Sequence, residues 1–286
     1  MKLFELHRLK TKLAFRVLIA YIGSKLFKYN LIANQEELIA YFNYLIKLDL
    51  YHVNKSEKYY WINSKKYGQF IFRKPYSSDY TAYQQIFIDK EYELLSEFAL
   101  KYCKNETISI VDAGANIGLT SIYLYQQLAR EKKLIEVLVE PFYDNIKSAR
   151  LNFQAQQIGN VFFEESGLYN KNCFLQIEKN FRDAREWSIQ IKETDKDTGL
   201  KAVQIIDLLN KYGINEVDIL KLDIEGAEKY LFFDANYAAE FLKRTRIIAI
   251  EIHKEYIEES SILHVLKDNN FTVYKSGEIH IGVKEN

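Results

Sequence analysis

Two cysteines, Cys103 and Cys173, are all that this 286-residue chain carries. A lone pair excludes a cysteine-rich zinc module, a cysteine-ligated iron–sulfur cluster and a disulfide framework. An excess of charge of one sign is also missing, with 39 Lys and Arg against 39 Asp and Glu. Without surplus positive charge there is little to hold a phosphate backbone, so nucleic acid is not expected as a partner. The early apolar run "LAFRVLIAYIG" contains Arg16, lacks a small-residue cleavage site and is too short to span a bilayer. Neither a secretory signal nor a membrane span is therefore expected, and a reducing cytoplasm is the default setting. Glycine is sparse too, eleven in all, which makes the placement of Gly114 and Gly118 in "SIVDAGANIGLTSIYLY" informative.

The chain has enough apolar residues, 48%, to build a core, and its length suits one large domain or a main domain with an appendage. Residues 1–80 read as an N-terminal, mainly helical region that could cover a substrate, and residues 81–286 as the main domain. Residues 1–28 carry Lys2, Arg8, Lys10, Lys12, Arg16, Lys25 and Lys28 against Glu5. Such a helix can lie on an anionic membrane, but packing on the main domain with a solvated basic face is favoured. After a candidate cap at Asn34, Leu38, Ile39, Tyr41, Phe42, Leu45, Ile46 and Leu48 recur at helical spacing. Residues 59–73 suggest short strands, and "KPYSSDYTAY" (74–83) a turn-rich loop over a site. There, Tyr76, Tyr80, Tyr83 and Phe87 could stack on a sugar ring while Asp79 binds its hydroxyls; the alternative is an amphipathic helix packing on a sheet.

From Ile108 strands and helices alternate. "ISIVDAG", "IEVLVEP", "NVFFEESGL", "VDILKLDIEGAE" and "TRIIAIEIH" read as five buried strands with helices between them, which argues for a parallel sheet covered on both faces. "FTVYKSGEIHIGVKE" closes the chain as a hairpin, and "CFLQI" and "WSIQIKE" look like an extension of short strands near the site. Gly114 can turn sharply out of its strand, and Gly118 lets the helix approach sheet or ligand closely. A dinucleotide fingerprint needs glycine where Asn116 stands, and a P-loop needs Lys after Gly118, where Leu119 follows. The next strand ends in Glu140, whose carboxylate can accept both hydroxyls of a ribose. A glycine turn with an acidic strand end but no pyrophosphate signature fits S-adenosylmethionine.

The segments "VDAGANIGLTSIYL", "VLVEPFYDNIKSARLN", "SGLYNKNCFLQI", "VDILKLDIEGAEKYLF" and "IIAIEIHKE" resemble the FkbM family of S-adenosylmethionine-dependent methyltransferases. The resemblance covers roughly residues 70–286. It implies a class I methyltransferase fold, a Rossmann-like sheet of seven strands whose last is antiparallel, and methylation of a hydroxyl on a sugar, glycan or small metabolite. By that resemblance Asp112, Gly114, Asn116 and Gly118 surround the methionine part of the cofactor, and Ala115 and Asp223 also belong to the cofactor site. Glu140 takes the ribose, while Phe142 and the Ser166-Gly167 turn sit near the adenine. Many family members carry an acidic residue where Ser166–Tyr169 stand here, and residues 1–70 find no match.

Strand alternation puts Lys221, Asp223 and Glu225 on one side of the fourth strand, and Glu251 and His253 on one side of the fifth. If strands four and five are neighbours, Asp223, Glu225 and His253 meet at the carboxyl rim, where ligands bind in open α/β sheets. Methyl transfer to an alcohol profits from positioning and from a group that takes the hydroxyl proton, a role open to His253, Asp223 or Glu225. The same three could ligate a divalent metal, although none is expected. Simpler readings are a helix-dipole role for Glu225 and Glu228 and a strand-end cap for His253. His7, His52, His264 and His280 have no comparable context. The two prolines, Pro75 and Pro141, leave no Pro-Pro-Tyr motif after the fourth strand and no Pro-Cys pair, so amino and cytosine-carbon methylation are disfavoured and an oxygen nucleophile leads. Two alternatives stand beside this reading. One is a non-catalytic module of the same fold, docking on a membrane or protein partner through its basic N-terminal helix. The other is an NAD-dependent oxidoreductase, weakened by Asn116 and the closing hairpin.

Overall fold

A computed structural model of the protein describes residues 3–26, 33–74, 77–178 and 190–285. The chain forms two compact units, one of residues 1–89 with 151–158, the other of residues 90–150 with 159–286.

In the first unit a 3-10 turn (Leu3–Arg8) leads into α1 (Thr11–Leu26), α2 (Ala33–Lys47) and an antiparallel sheet of β1 (Leu50–Lys55), β2 (Tyr60–Ser64) and β3 (Gly68–Phe72). Helix α1 buries Leu13, Val17 and Ala20, one narrow stripe at helical spacing; α2 buries Tyr41, Phe42 and Leu45. Helix α2 already includes Ala33, so Asn34 stands inside the helix rather than before it. Strand β1 was not expected. The end of a later helix and the turn that follows it, residues 151–158, satisfy backbone groups of the sheet. Asn152 Oδ1 accepts from Ile71 N at 2.7 Å, and Gln156 Nε2 donates to the carbonyls of Tyr67 and Gln69.

The expected loop at 74–83 is instead largely helix, α3 (Ser78–Tyr83), continuing into a π-helical turn at Gln84–Ile88. Asp79 is fully buried and spends its oxygens on the Arg73 backbone N–H and guanidinium. Tyr80, Tyr83 and Phe87 are buried as well. Their rings pack on one another and on Phe70 and Phe72, with Tyr83–Phe87 at 4.8 Å and Phe72–Tyr80 at 4.9 Å. Of the two readings of this stretch the structure has the helix packed on a sheet, and the sugar-stacking role for these residues is overturned: aromatic rings closed against each other offer no face to a sugar. Pro75 and Tyr76 lie outside the described residues.

The second unit runs α4 (Glu93–Tyr102), β4 (Thr107–Ala113), α5 (Leu119–Leu128), β5 (Lys133–Val139), α6 (Tyr143–Ala155, of which residues 151–155 belong to the first unit), β6 (Val161–Glu164), β7 (Gly167–Leu168), β8 (Cys173–Glu178), β9 (Gln190–Thr194), β10 (Lys201–Val203), α7 (Ile205–Lys211), β11 (Val217–Leu222), α8 (Glu228–Phe232), α9 (Ala235–Lys243), β12 (Thr245–Glu251), α10 (Glu259–Asp268), β13 (Thr272–Ser276) and β14 (Ile279–Val283). Its main sheet has the order β13-β14-β12-β11-β4-β5-β6, and β14 runs antiparallel to both its neighbours. This is the seven-stranded class I methyltransferase arrangement, with β11 and β12 adjacent as required. The expected third strand divides. Val161–Glu164 joins the main sheet, whereas Gly167–Leu168 pairs with β10 in a second sheet of order β7-β10-β8-β9. The extension strands therefore form a sheet of their own; Trp187–Ile189 lie outside the described residues.

The two faces of the main sheet differ in chemistry. One presents Val111, Ala113, Val137, Val139, Leu220, Leu222, Ile248 and Ile250 to a core shared with α7, α9 and α10. By alternation the other presents Asp112, Glu136, Lys221 and Glu251 among apolar residues, with Lys221 directly opposite Asp112 on one neighbouring strand and Ala249 on the other.

Candidate active site

The turn after β4 alternates handedness, with φ of 73° at Gly114, 49° at Asn116 and 80° at Gly118. A side chain on Gly114 would put its Cβ 1.6 Å from the carbonyl oxygen of Asp223. The collision is with backbone and cannot be relieved by a rotamer, so the first glycine is demanded by the approach of the chain beyond β11. Asn116 is among the residues that tolerate the left-handed region, and Gly118 caps α5. The N–H groups of Gly114 and Ala115 share the carbonyl of Val139, which ties the turn to β5.

Glu140, one residue past β5, locks the other side of the turn. Its carboxylate accepts from Asn116 N, Phe142 N and Asn145 Nδ2, each at 3.0 Å. Burial pushes its pKa up and these three donors pull it back, with a net rise. A carboxylate offers about four lone-pair sites, so one is still open. Ser166, between β6 and β7, is buried, and its hydroxyl has no hydrogen-bond partner among the described residues.

At the end of β4 Asp112 is fully buried, accepts from Ser121 Oγ at 2.7 Å and pairs with Lys221 Nζ at 3.0 Å. Lys221 also donates to Gly114 O at 2.9 Å and lies 3.4 Å from Asp223 Oδ2. Burial alone would lower the Lys221 pKa, but Asp112 and Asp223 outweigh it and hold the ammonium charged. Tyr92, at the start of α4, is buried against this group. Its pKa is raised by burial, with Lys221 acting the other way and Asp223, Asp112 and Glu251 adding to the rise. Nothing in the sequence around Tyr92 marks it; it reaches the site through the tertiary fold.

Strand alternation does not carry to Glu225. Strand β11 ends at Leu222, and Glu225 sits in a turn with φ of 53° followed by Gly226 at 88°. The turn still delivers it to the histidine: His253 Nε2 lies 3.4 Å from Glu225 Oε2 and 4.0 Å from Glu251 Oε1. His253 Nδ1 donates to the buried Glu228 at 3.0 Å, and the same Glu228 oxygen accepts from Ile224 N. Burial works against charge on the imidazole, but Glu225 and Glu228 prevail and raise its pKa to about 11. As found, His253 is a cation at neutral pH and has no lone pair with which to act as a base. Glu251 is pushed up to about 8 by burial and by Asp223, with His253 opposing. Ligand atoms of Asp223, Glu251 and His253 lie within 4.8 Å of one another, so among the described residues the trio able to hold a metal contains Glu251 in place of Glu225. Of the other histidines, His52 bonds Tyr41 and His280 bonds Glu259, while His7 and His264 are exposed.

A family model described as the methyltransferase FkbM domain matches residues 112–273, more than half of the chain. The chain belongs to the FkbM methyltransferase family. The matched segment of this FkbM chain opens on Asp112 and runs through the glycine turn, Glu140, Asp223, Glu225 and His253, and leaves Tyr92 outside. Among solved structures, methyltransferase FkbM from Methylobacillus flagellatus KT is 14% identical, with a TM-score of 0.38, over 62% of this chain and 44% of that one. The chain thus spans less than half the length of that relative. A SAM-dependent methyltransferase from Aquifex aeolicus is 16% identical over 70% and 90% of the two chains, with a TM-score of 0.39. The METTL16 methyltransferase domain is 10% identical over 90% and 84%, with a TM-score of 0.46. No curated protein matches the chain significantly. No helix among the described residues is long and apolar enough to cross a membrane.

Proposed function

We propose that this FkbM-family chain transfers a methyl group from S-adenosylmethionine to a hydroxyl of a sugar, glycan or small metabolite. The observation that supports the cofactor is the Glu140 carboxylate, buried at a strand end and bonded to the backbone of the glycine turn. The donor set fits an adenosyl group: a carboxylate with an open lone-pair site, an unpaired buried hydroxyl at Ser166 and a turn tied to both strands. A ribose diol needs two acceptor sites and Glu140 has one to spare, so binding would replace the Asn145 amide on Oε1. Phe142 and Ser166 would border the adenine, and Asp112, Gly114, Ala115, Asn116, Gly118 and Asp223 the methionine end. The bound cofactor supplies an electrophilic methyl group on a cationic sulfur.

The remaining work falls to the cluster at β11 and β12. Asp223, anchored by Lys221, fixes the acceptor. Cationic His253, oriented by Glu228, can donate from Nε2 to an acceptor oxygen or hold Glu225. A hydroxyl proton can pass to a Glu251 oxygen once that carboxyl has ionised, near pH 8. Calorimetric titration with S-adenosylhomocysteine and, separately, NADH tests the reading. The first should bind and the second should not, and Glu140→Ala should weaken the first by about tenfold or more while the protein remains folded. Unchanged affinity in Glu140→Ala would remove the cofactor assignment. Gly114→Val is unsuitable for this purpose, because its side chain would strike the Asp223 backbone whatever the ligand.

A further inference from the structure

Helix α1 has a second apolar stripe. Opposite the buried Leu13, Val17 and Ala20, Phe15, Ile19 and Ile22 stand 63%, 51% and 41% exposed. At 100° per residue these three fall within about 60° of arc, and Lys12 and Arg16, both exposed, border them on one side. A solvated surface helix would carry polar residues there. The stripe is therefore neither part of the core nor explained by the methyl-transfer chemistry.

We propose that this face of α1 docks on an anionic lipid surface, with Phe15, Ile19 and Ile22 entering the headgroup boundary and Lys12 and Arg16 meeting acidic headgroups. The arrangement of an apolar stripe edged by cations is that of helices lying in the interfacial plane. With sixteen residues and charges at both Lys12 and Arg16, α1 can lie on a bilayer but not cross it. Charge selects this occupant over a second copy of the chain. An antiparallel two-fold pairing of the stripes would bring the cations of both copies to one seam, whereas an acidic surface neutralises them. Docking is independent of the catalytic reading, so either can fail without the other.

The test is flotation of the full chain with vesicles of phosphatidylcholine and phosphatidylserine, and of phosphatidylcholine alone, at low and high salt. Binding is expected to the first, weaker in high salt and weaker still without phosphatidylserine. The triple variant Phe15→Ser, Ile19→Ser, Ile22→Ser should lose binding by at least about tenfold. Lys12→Glu with Arg16→Glu should lose roughly fivefold or more per cation. All five side chains are exposed, so thermal unfolding and circular dichroism of both variants should match the parent. Absence of flotation, equal flotation of the triple variant, or a dimer in sedimentation velocity that dissociates in the triple variant without any lipid binding would each overturn the proposal.

Discussion

Glu136 offers a quantitative test of how the second unit is built. It sits in the middle of β5 on the polar face of the sheet and is 2% exposed. Burial raises its pKa from 4.5 to about 8, the nearby Asp112 carboxylate adds to the rise, and the Ser121 hydroxyl opposes it weakly. The folded protein thus holds a proton that the unfolded chain releases above pH 4.5. The stabilisation linked to this proton is complete below pH 4.5 and falls by about 1.4 kcal/mol per pH unit. It is gone once pH passes about 8, a loss of roughly 5 kcal/mol in all. Glu136→Gln keeps the shape of the protonated side chain and cannot ionise. At pH 5 the variant should match the parent within about 1 kcal/mol, and at pH 9 it should be the more stable by about 3 to 5 kcal/mol. Urea unfolding of both proteins at pH 5, 7 and 9 measures this, and the difference between the two profiles cancels other titrating groups such as Glu251. A difference that stays constant from pH 5 to 9 would refute the assignment of a buried, protonated Glu136.

His253 should titrate far above an ordinary histidine. Its ring carbon and nitrogen shifts, followed by NMR, should remain those of the cation past pH 9. Its folded pKa is raised, so its contribution to stability is whole below pH 6.5 and disappears as pH climbs through about 11. Glu228→Gln should bring that midpoint down by about one to three pH units, and an unmoved midpoint would show that Glu228 does not hold the imidazole. Lys221→Met should cost about 3 to 5 kcal/mol at neutral pH, because it strands Asp112 as a buried, unpaired carboxylate. Lys221→Met with Asp112→Asn should recover part of that loss, and no recovery would deny the pair.

The parts of the site legible in the sequence were those that depend on neighbouring residues or on strand order. The glycine turn could be read because a strand must leave the sheet within a few residues and only particular backbones do so; its lock, Glu140, stands at the end of the next strand by the same logic. The encounter of Asp223 with His253 followed from the adjacency of β11 and β12. Alternation failed beyond Leu222 because it is a property of extended backbone, and the left-handed residues Glu225 and Gly226 break that geometry. Glu228, read as a dipole carboxylate, is the partner of His253 Nδ1, a contact across 25 residues that no local pattern encodes. Tyr92 is separated from Lys221 by most of the domain. In the first unit, Asp79 looked available because its partner Arg73 precedes it across a turn, and aromatic residues that looked like a sugar platform were the core itself.

The polar face of the main sheet carries three carboxyls, Asp112, Glu136 and Glu251, and the ammonium of Lys221 is paired with the first of them. Ionised, Glu136 would be a buried negative charge without a partner, at a cost of several kcal/mol, whereas Glu251, less deeply buried, would face His253 Nε2 at 4.0 Å. The pKa values of about 8 at Glu136 and Glu251 resolve this, since both remain protonated at neutral pH and the face reduces to one Asp112–Lys221 pair. Neutrality has a consequence at the rim. Glu251 lies between the paired interior and the Asp223–His253 cluster, so of the two raised carboxyls it is the one from which a proton can leave toward a ligand. A cation arriving beside it would favour that departure, coupling the charge of the proposed sulfonium to the ionisation of the group proposed to take the hydroxyl proton. The same burial that makes Glu136 a silent structural acid therefore keeps Glu251 poised as a reactive one, and the difference between them is access to the rim.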